Sequence, residues 1–185
     1  MKRYESPKSY RMEAEDMGAN PKTTAFLKEC LADALIQLLE EKPFEKITIP
    51  EIAESAGVGR TTYFRNFTAK EEVLTYKYIR LWERWAEEHD LQERTAFSAD
   101  NGLTFFQYNY TIRHLLELTY RRGLQSALYE SFHQIMKPQY GANPLECYKS
   151  RFFSYGLFGL LDEWIMRGFY ESPEKMASIV HQLLL

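Results

Sequence analysis

From Asn20 onward, apolar residues recur at helical spacing along almost the whole chain. Phe26, Leu27, Cys30, Leu31, Ala34, Leu35, Leu38 and Leu39 form one stripe of a first helix. Asn20 is placed to cap it, Pro21 fits its first position, and Pro43 stops it near Lys42. Thr48-Ile49-Pro50-Glu51 reads as a capping box: the threonine hydroxyl meets a free amide three residues on, and the glutamate reaches back. The helix it opens carries Ile52, Ala53 and Ala56 on one side. Gly57 then supplies the left-handed turn that ends it. Residues 59–67 make a third, short helical segment. Thr68 to Glu71 reads as a second capping box. It opens a long helix with Val73, Leu74, Tyr78, Leu81, Trp82 and Trp85 on one face.

Beyond Asp90 the pattern loosens to about Asp100. Residues 103–109 and 110–122 predict one or two helices closed by Gly123, and residues 124–136 predict another. A loop over 138–144 precedes a long apolar helix at 145–167, closed by Gly168. Ser172-Pro173-Glu174 caps a last helix at 176–185. Neither strand alternation nor a fixed-period repeat stands out, so the fold class is all-α. The first 19 residues are polar, with no helical period. There Lys2, Arg3, Lys8 and Arg11 are offset by Glu5, Glu13, Glu15 and Asp16. The expected organisation is a flexible tail (1–19), a small three-helix domain (20–74) and a larger helical domain (75–185).

Composition narrows the function. With 185 residues, 45 % of them hydrophobic, the chain can bury a real core. A net charge of −3 excludes a uniformly basic coat but not a local basic face. Cys30 and Cys147 make no disulfide framework, and no Cys-x-x-Cys or His-x-x-x-His pair suggests a metal site. They read as two core thiols of a cytoplasmic protein. The N-terminus has no apolar leader, and the run 152–161 is too short for a bilayer, which takes about 20 residues. No membrane partner is expected. There is no nucleophile–His–acid set, no phosphate loop and no metal cluster, and Asp162 and Glu163 are helix neighbours that point apart. The chain does not read as an enzyme, and no cofactor is implied.

The informative stretch is Thr48 to Lys70. Two short helices joined by Ala56-Gly57-Val58 have helix-turn-helix spacing, in which the first helix braces the second against the major groove. The second begins Gly59-Arg60-Thr61-Thr62-Tyr63. An arginine here can pair with guanine O6 and N7, and hydroxyls can reach phosphates or base edges. From Gly57 to Lys70 the charged residues are Arg60, Arg65 and Lys70, all basic. An acidic protein has cleared negative charge from one patch, as phosphate contact requires. A hairpin buried in a larger bundle has the same spacing, so spacing leaves both readings open.

Residues 48–74, T-I-P-E-I-A-E-S-A-G-V-G-R-T-T-Y-F-R-N-F-T-A-K-E-E-V-L, strongly resemble the DNA-binding domain of TetR/AcrR-family transcriptional regulators. Matching features are Thr48, Ile52-Ala53, Ala56-Gly57-Val58, Thr62, an aromatic pair, Phe67, Lys70-Glu71 and Leu74. The resemblance implies double-stranded DNA as partner, with Thr48, Thr62, Asn66 and Lys70 on phosphates and Arg60 and Thr61 on bases. Two departures stand out. The family places leucine or phenylalanine at Tyr63 and tyrosine at Phe64, so the tyrosine–phosphate bond passes to Tyr63 or is absent. Gly59 replaces a serine or threonine cap at little cost, a few tenths of a kcal/mol.

Leu157-Phe158-Gly159-Leu160, Trp164, Gly168 and Ser172-Pro173-Glu174 resemble the closing two helices of one subgroup's regulatory domain. Gly156 and Gly159 lie mid-helix, where each costs roughly 1 kcal/mol against alanine, so close approach of another helix should offset them. The expected homodimer interface is Phe152, Tyr155, Gly156, Gly159, Leu160, Trp164, Met176, Ile179, Val180 and Leu183. Trp82, Trp85, Phe106, Tyr110, His114, Tyr129, Phe132, His133 and Tyr148 are the residues available to line an aromatic cavity for an apolar or aromatic small-molecule effector. The expected function is a bacterial repressor, a dimer on a near-palindromic operator, released by that effector. The alternative is a regulator, repressor or activator, whose larger domain binds a partner protein instead.

Overall fold

A computed structural model describes residues 21–89, 99–137 and 143–184; the tail 1–19 and most of the predicted 138–144 loop lie outside them. The described residues form helices α1 (Pro21–Glu41), α2 (Ile49–Ser55), α3 (Arg60–Asn66), α4 (Lys70–Glu88), α5 (Ala99–Thr111), α6 (Arg113–Arg121), α7 (Gln125–Ile135), α8 (Pro144–Met166) and α9 (Pro173–Leu184), with a 3-10 turn at Phe44–Lys46. No strand occurs among the described residues, and none of their helices is long and apolar enough to cross a membrane. The fold is all-α. The chain divides into two compact units between Val73 and Leu74, inside the first turns of α4.

In the first unit α1 packs on α2 and α3, and α2 on α3. Leu31, Leu35, Leu39, Ile47, Ile52, Tyr63, Phe67 and Val73 fill its core. Phe26, on the predicted apolar stripe of α1, is 58 % exposed and lies off this core. The Thr48 box forms as the sequence indicates. The Glu51 amide donates to Thr48 Oγ1 (3.4 Å), and the Thr48 amide donates to Glu51 Oε2 (2.8 Å). Gly57 has φ +67°, and the Val58 amide closes α2 on the Ala53 carbonyl at 2.9 Å, with Gly57 donating to Glu54 at 3.0 Å. The second box is displaced by one residue: the Thr68 amide and hydroxyl both donate to Glu72 rather than Glu71.

In the second unit α5 packs on α9, and α6, α7 and α8 pack on one another. Buried side chains include Tyr78, Phe106, Leu116, Leu118, Leu157, Leu161 and Trp164. Polar tethers cross the helices: Thr75 Oγ1 donates to the Ala127 carbonyl (3.1 Å), Trp164 Nε1 to the Glu171 carbonyl (2.9 Å), and the Tyr120 hydroxyl to Asp162. The break between α5 and α6 uses neither proline nor glycine. Thr111 donates its hydroxyl to the Tyr108 carbonyl (2.7 Å) and Arg113 donates to the Tyr110 carbonyl (3.1 Å), which satisfies the end of α5. Helix α8 begins at Pro144, one residue before the predicted start, and Asn143 of the predicted loop forms a capping box with Glu146. Cys147 is exposed and Cys30 only half-buried, so neither thiol is in the core.

Glu51 also accepts from the Lys42 ammonium. That bond first, and the Thr48 amide and hydroxyl next, lower its carboxyl from an ordinary 4.5 to about 2. A lowered folded-state value adds stability that is present above about pH 4.5 and fades as pH falls toward 2. Glu51→Gln should therefore flatten the loss of stability across that window in thermal melts. Equal slopes for the two proteins would show that the box does not titrate.

Candidate functional site

The α2–turn–α3 pair is built from short-range rules. The Thr48 box starts α2, Gly57 turns the chain, and Gly59, extended at φ −71° and ψ 147°, starts α3 without a side-chain cap. The Thr62 amide donates to the Gly59 carbonyl at 2.9 Å. Two aromatic side chains then fix the rotation of α3. Tyr63 is fully buried and Phe67 is 4 % exposed, with ring centroids 5.9 Å apart.

That burial sorts the rest of the helix. Arg60, Thr61, Phe64 and Arg65 are exposed, while Thr62 and Asn66 are half-buried. Arg60 and Phe64 lie one turn apart, as do Thr61 and Arg65, so the four share one outward face. Phe64 is 62 % exposed, and its ring sets edge-on to Tyr63 at 5.5 Å. No acidic residue occurs between Gly57 and Lys70. The face offers two cationic forks, a hydroxyl and a bare ring.

In the second unit α8 has two unlike sides. Leu157, Leu161, Trp164 and Ile165 are buried. Leu145, Tyr148, Phe152, Tyr155, Gly156, Gly159 and Met166 follow one another at helical spacing and are exposed. A Cβ added at Gly156 or Gly159 would meet nothing within 4 Å. Of the expected interface residues, Phe152, Tyr155, Gly156, Gly159 and Leu183 are exposed, and Leu160 and Ile179 are half-buried. Trp164, Met176 and Val180 are not on that surface: they are at most 5 % exposed and pack inside their own unit.

Most of the aromatic residues expected around an effector take part in ring contacts within the second unit. Trp82 and Trp85 meet Tyr108 at 5.2 and 5.8 Å. Tyr110 stacks on Trp164, which meets Phe106 at 5.4 Å. From Phe106 the ring contacts continue through Phe105, Phe132 and Phe158 to Tyr129. Phe106 and Phe132 are buried parts of this chain of rings. His133 meets Arg151. His114 is exposed beside Glu117, and Tyr148 is 76 % exposed on the bare side of α8. The last two belong to no shared aromatic wall.

Residues 31–76 match the model of bacterial regulatory proteins of the tetR family, and residues 103–185 match that of a transcriptional regulator C-terminal region. The chain belongs to the tetR family. Among solved structures, the dihydroxyacetone kinase operon activator DhaS is similar over 85 % of this chain and 93 % of its own. The identity is 19 % and the TM-score 0.49. No curated protein sequence matches.

Four of the contacts expected for a tetR-family regulator find their side chains engaged within the chain. Tyr63 has no exposed surface, so it cannot supply the missing tyrosine–phosphate bond. It occupies the apolar position that the family fills with leucine or phenylalanine. The Lys70 ammonium donates to the Phe44 and Ile47 carbonyls at 2.8 and 2.7 Å and sits 4.2 Å over the Phe44 ring. It pins the 3-10 turn instead of reaching outward. The Thr48 hydroxyl serves the capping box, and Asn66 Nδ2 donates to the Thr62 carbonyl at 2.7 Å. Arg65 and Phe64, absent from the sequence-based contact set, complete the exposed face. Exposure on a helix whose partner positions are buried is the signal that marks them.

Tyr63 carries a defect. Its hydroxyl is buried with no hydrogen-bond partner, and burial, aided by Glu72 and Glu71, pushes its pKa up to about 12. A buried unpaired hydroxyl costs about 1–3 kcal/mol. Tyr63→Phe should raise stability in urea denaturation by roughly 1 kcal/mol. A loss of stability would mean that the hydroxyl has a partner in solution.

Proposed function

We propose that this regulator is a sequence-specific DNA-binding homodimer, a repressor acting on a near-palindromic operator and released by a small apolar or aromatic effector. The observation that carries the reading is the sorting of α3. Tyr63 and Phe67 hold it from inside, while Arg60, Thr61, Phe64 and Arg65 stand outward in a stretch free of acidic residues. Arginine at the start of a groove-inserted helix pairs with guanine, and the threonine hydroxyl and second arginine add base-edge or phosphate contacts.

The dimer reading is supported by the bare side of α8. Its apolar stripe runs from Leu145 to Gly159, Glu163 interrupts it before Met166, and two glycines there face open space within the chain. A partner's α8 and α9 seated on the stripe would bury it, and the glycines would admit close approach. Two reading helices would then lie about 34–36 Å apart or a multiple of that. An effector works through the ring-lined interior of the second unit, by binding one spacing better than the other.

The reading is tested by selecting bound duplexes from a random pool at near-physiological salt. A palindromic consensus is expected, and absence of enrichment would overturn sequence-specific binding. In the same selection Arg60→Ala should cost about 1–3 kcal/mol and relax one base pair in each half-site. An unchanged consensus would remove Arg60 from the reading set.

The dimer has its own test in Gly159→Arg. A Cβ at this position meets no atom of its own chain within 4 Å, and arginine is a better helix former than glycine, so the folded chain should gain about 0.5–1 kcal/mol. Light scattering should give twice 21.9 kDa for the wild type and 21.9 kDa for the variant. A monomeric wild type would transfer the stripe to another protein partner.

A further inference from the structure

We propose that Phe64 is a specificity-determining residue, its ring seated against the C5 methyl of a thymine in each operator half-site. The inference rests on the DNA-binding reading and deepens it. Phe64 is 62 % exposed on the outward face of α3, one turn after Arg60 and next to Arg65. The core does not need it, because Tyr63 and Phe67 already fill the inward positions. Its ring is nevertheless oriented, standing edge-on to Tyr63 at 5.5 Å and 81°. A large apolar ring held outward between two arginines is poorly placed in water and well placed on a surface that brings anions and an apolar group together.

The chemistry of Phe64 narrows what that group is. Phenylalanine has no donor or acceptor, so it forms no hydrogen bond to a phosphate oxygen or a base edge. Of the groups exposed in the major groove, the thymine methyl is the apolar one. The flanking guanidinium groups anchor to phosphate or guanine and hold α3 at that depth. Phe64 thus reads a base where a tyrosine would hold the backbone, and the interface exchanges a sequence-neutral contact for a sequence-reading one.

The test uses the full-length protein and the selected consensus duplex, with each thymine replaced in turn by deoxyuridine. Deoxyuridine pairs identically and lacks only the methyl. For the wild type, one symmetry-related thymine is expected to lose affinity about threefold to tenfold on replacement. Phe64→Ala should lose a similar factor on the thymine duplex and show no further loss with deoxyuridine at that position. Phe64→Tyr keeps the ring and should keep the sensitivity. Phe64 is exposed, so these variants should fold, and unchanged melting temperatures confirm it. The proposal is overturned if every deoxyuridine affects wild type and Phe64→Ala equally. It is also overturned if Phe64→Ala weakens all sequences alike, which would place the ring on the sugar–phosphate backbone. Either result leaves DNA binding standing. Failure to select any consensus would instead remove the reading beneath both.

Discussion

A helix of seven residues does not hold its shape alone in water. Isolated helices shorter than about 12–15 residues are marginal, so α3 takes its position from packing. Tyr63 and Phe67 supply that packing, and everything the helix offers to a partner follows from it. With those two positions turned inward, the 3.6-residue period leaves Arg60, Thr61, Phe64 and Arg65 no choice but to face out. The α2 capping box and the Gly57 turn bring α3 to the place where this can happen. Lys70 contributes from beneath, by tying the turn after α1 to the start of α4.

Where a few neighbouring residues decide the geometry, the sequence was a good guide. The Thr48 box, the left-handed Gly57, Pro43 after α1 and Pro173 at the head of α9 are local devices, and each stands where the reading put it. The register of the Thr68 box differs by a residue because α4 begins at Lys70, which puts Glu72 rather than Glu71 at its third position, where it accepts from the Thr68 amide and hydroxyl. The surroundings of Lys70 and Tyr63 are not legible from local spacing. Their partners, Phe44, Ile47 and the unit's core, are more than ten residues distant, and a side chain that suits a phosphate suits a carbonyl equally well.

The second unit was legible as helices and not as surfaces. Helix α8 carries apolar residues all round its middle turns, so hydropathy marks those turns as enclosed without showing by what. Trp164 looks like an interface residue by its company with Gly159 and Leu160. In the folded unit it is locked inward by Phe106, Phe169 and the Glu171 carbonyl. Met176 and Val180 went the same way, because α9 turns them into its own unit. Only the three-dimensional packing separates the side that α8 buries at home from the side it leaves bare.

That separation bears on how a regulator of this kind can be switched. The inner side of α8 contributes Trp164 and Phe158 to the chain of rings running from Tyr110 to Tyr129. The outer side carries Phe152, the two open glycines and Tyr155, whose ring also meets Tyr129 at 5.2 Å. Tightly packed interiors do not deform by degrees, so a molecule inserted among the rings has to shift a helix as a body. A shift of α8 acts on both its faces at once. In a dimer seated on the outer face, a change made inside one subunit is therefore felt at the junction with the other. On the proposed reading no separate relay is required, and the differential affinity of any effector for the two arrangements limits how far the balance can move.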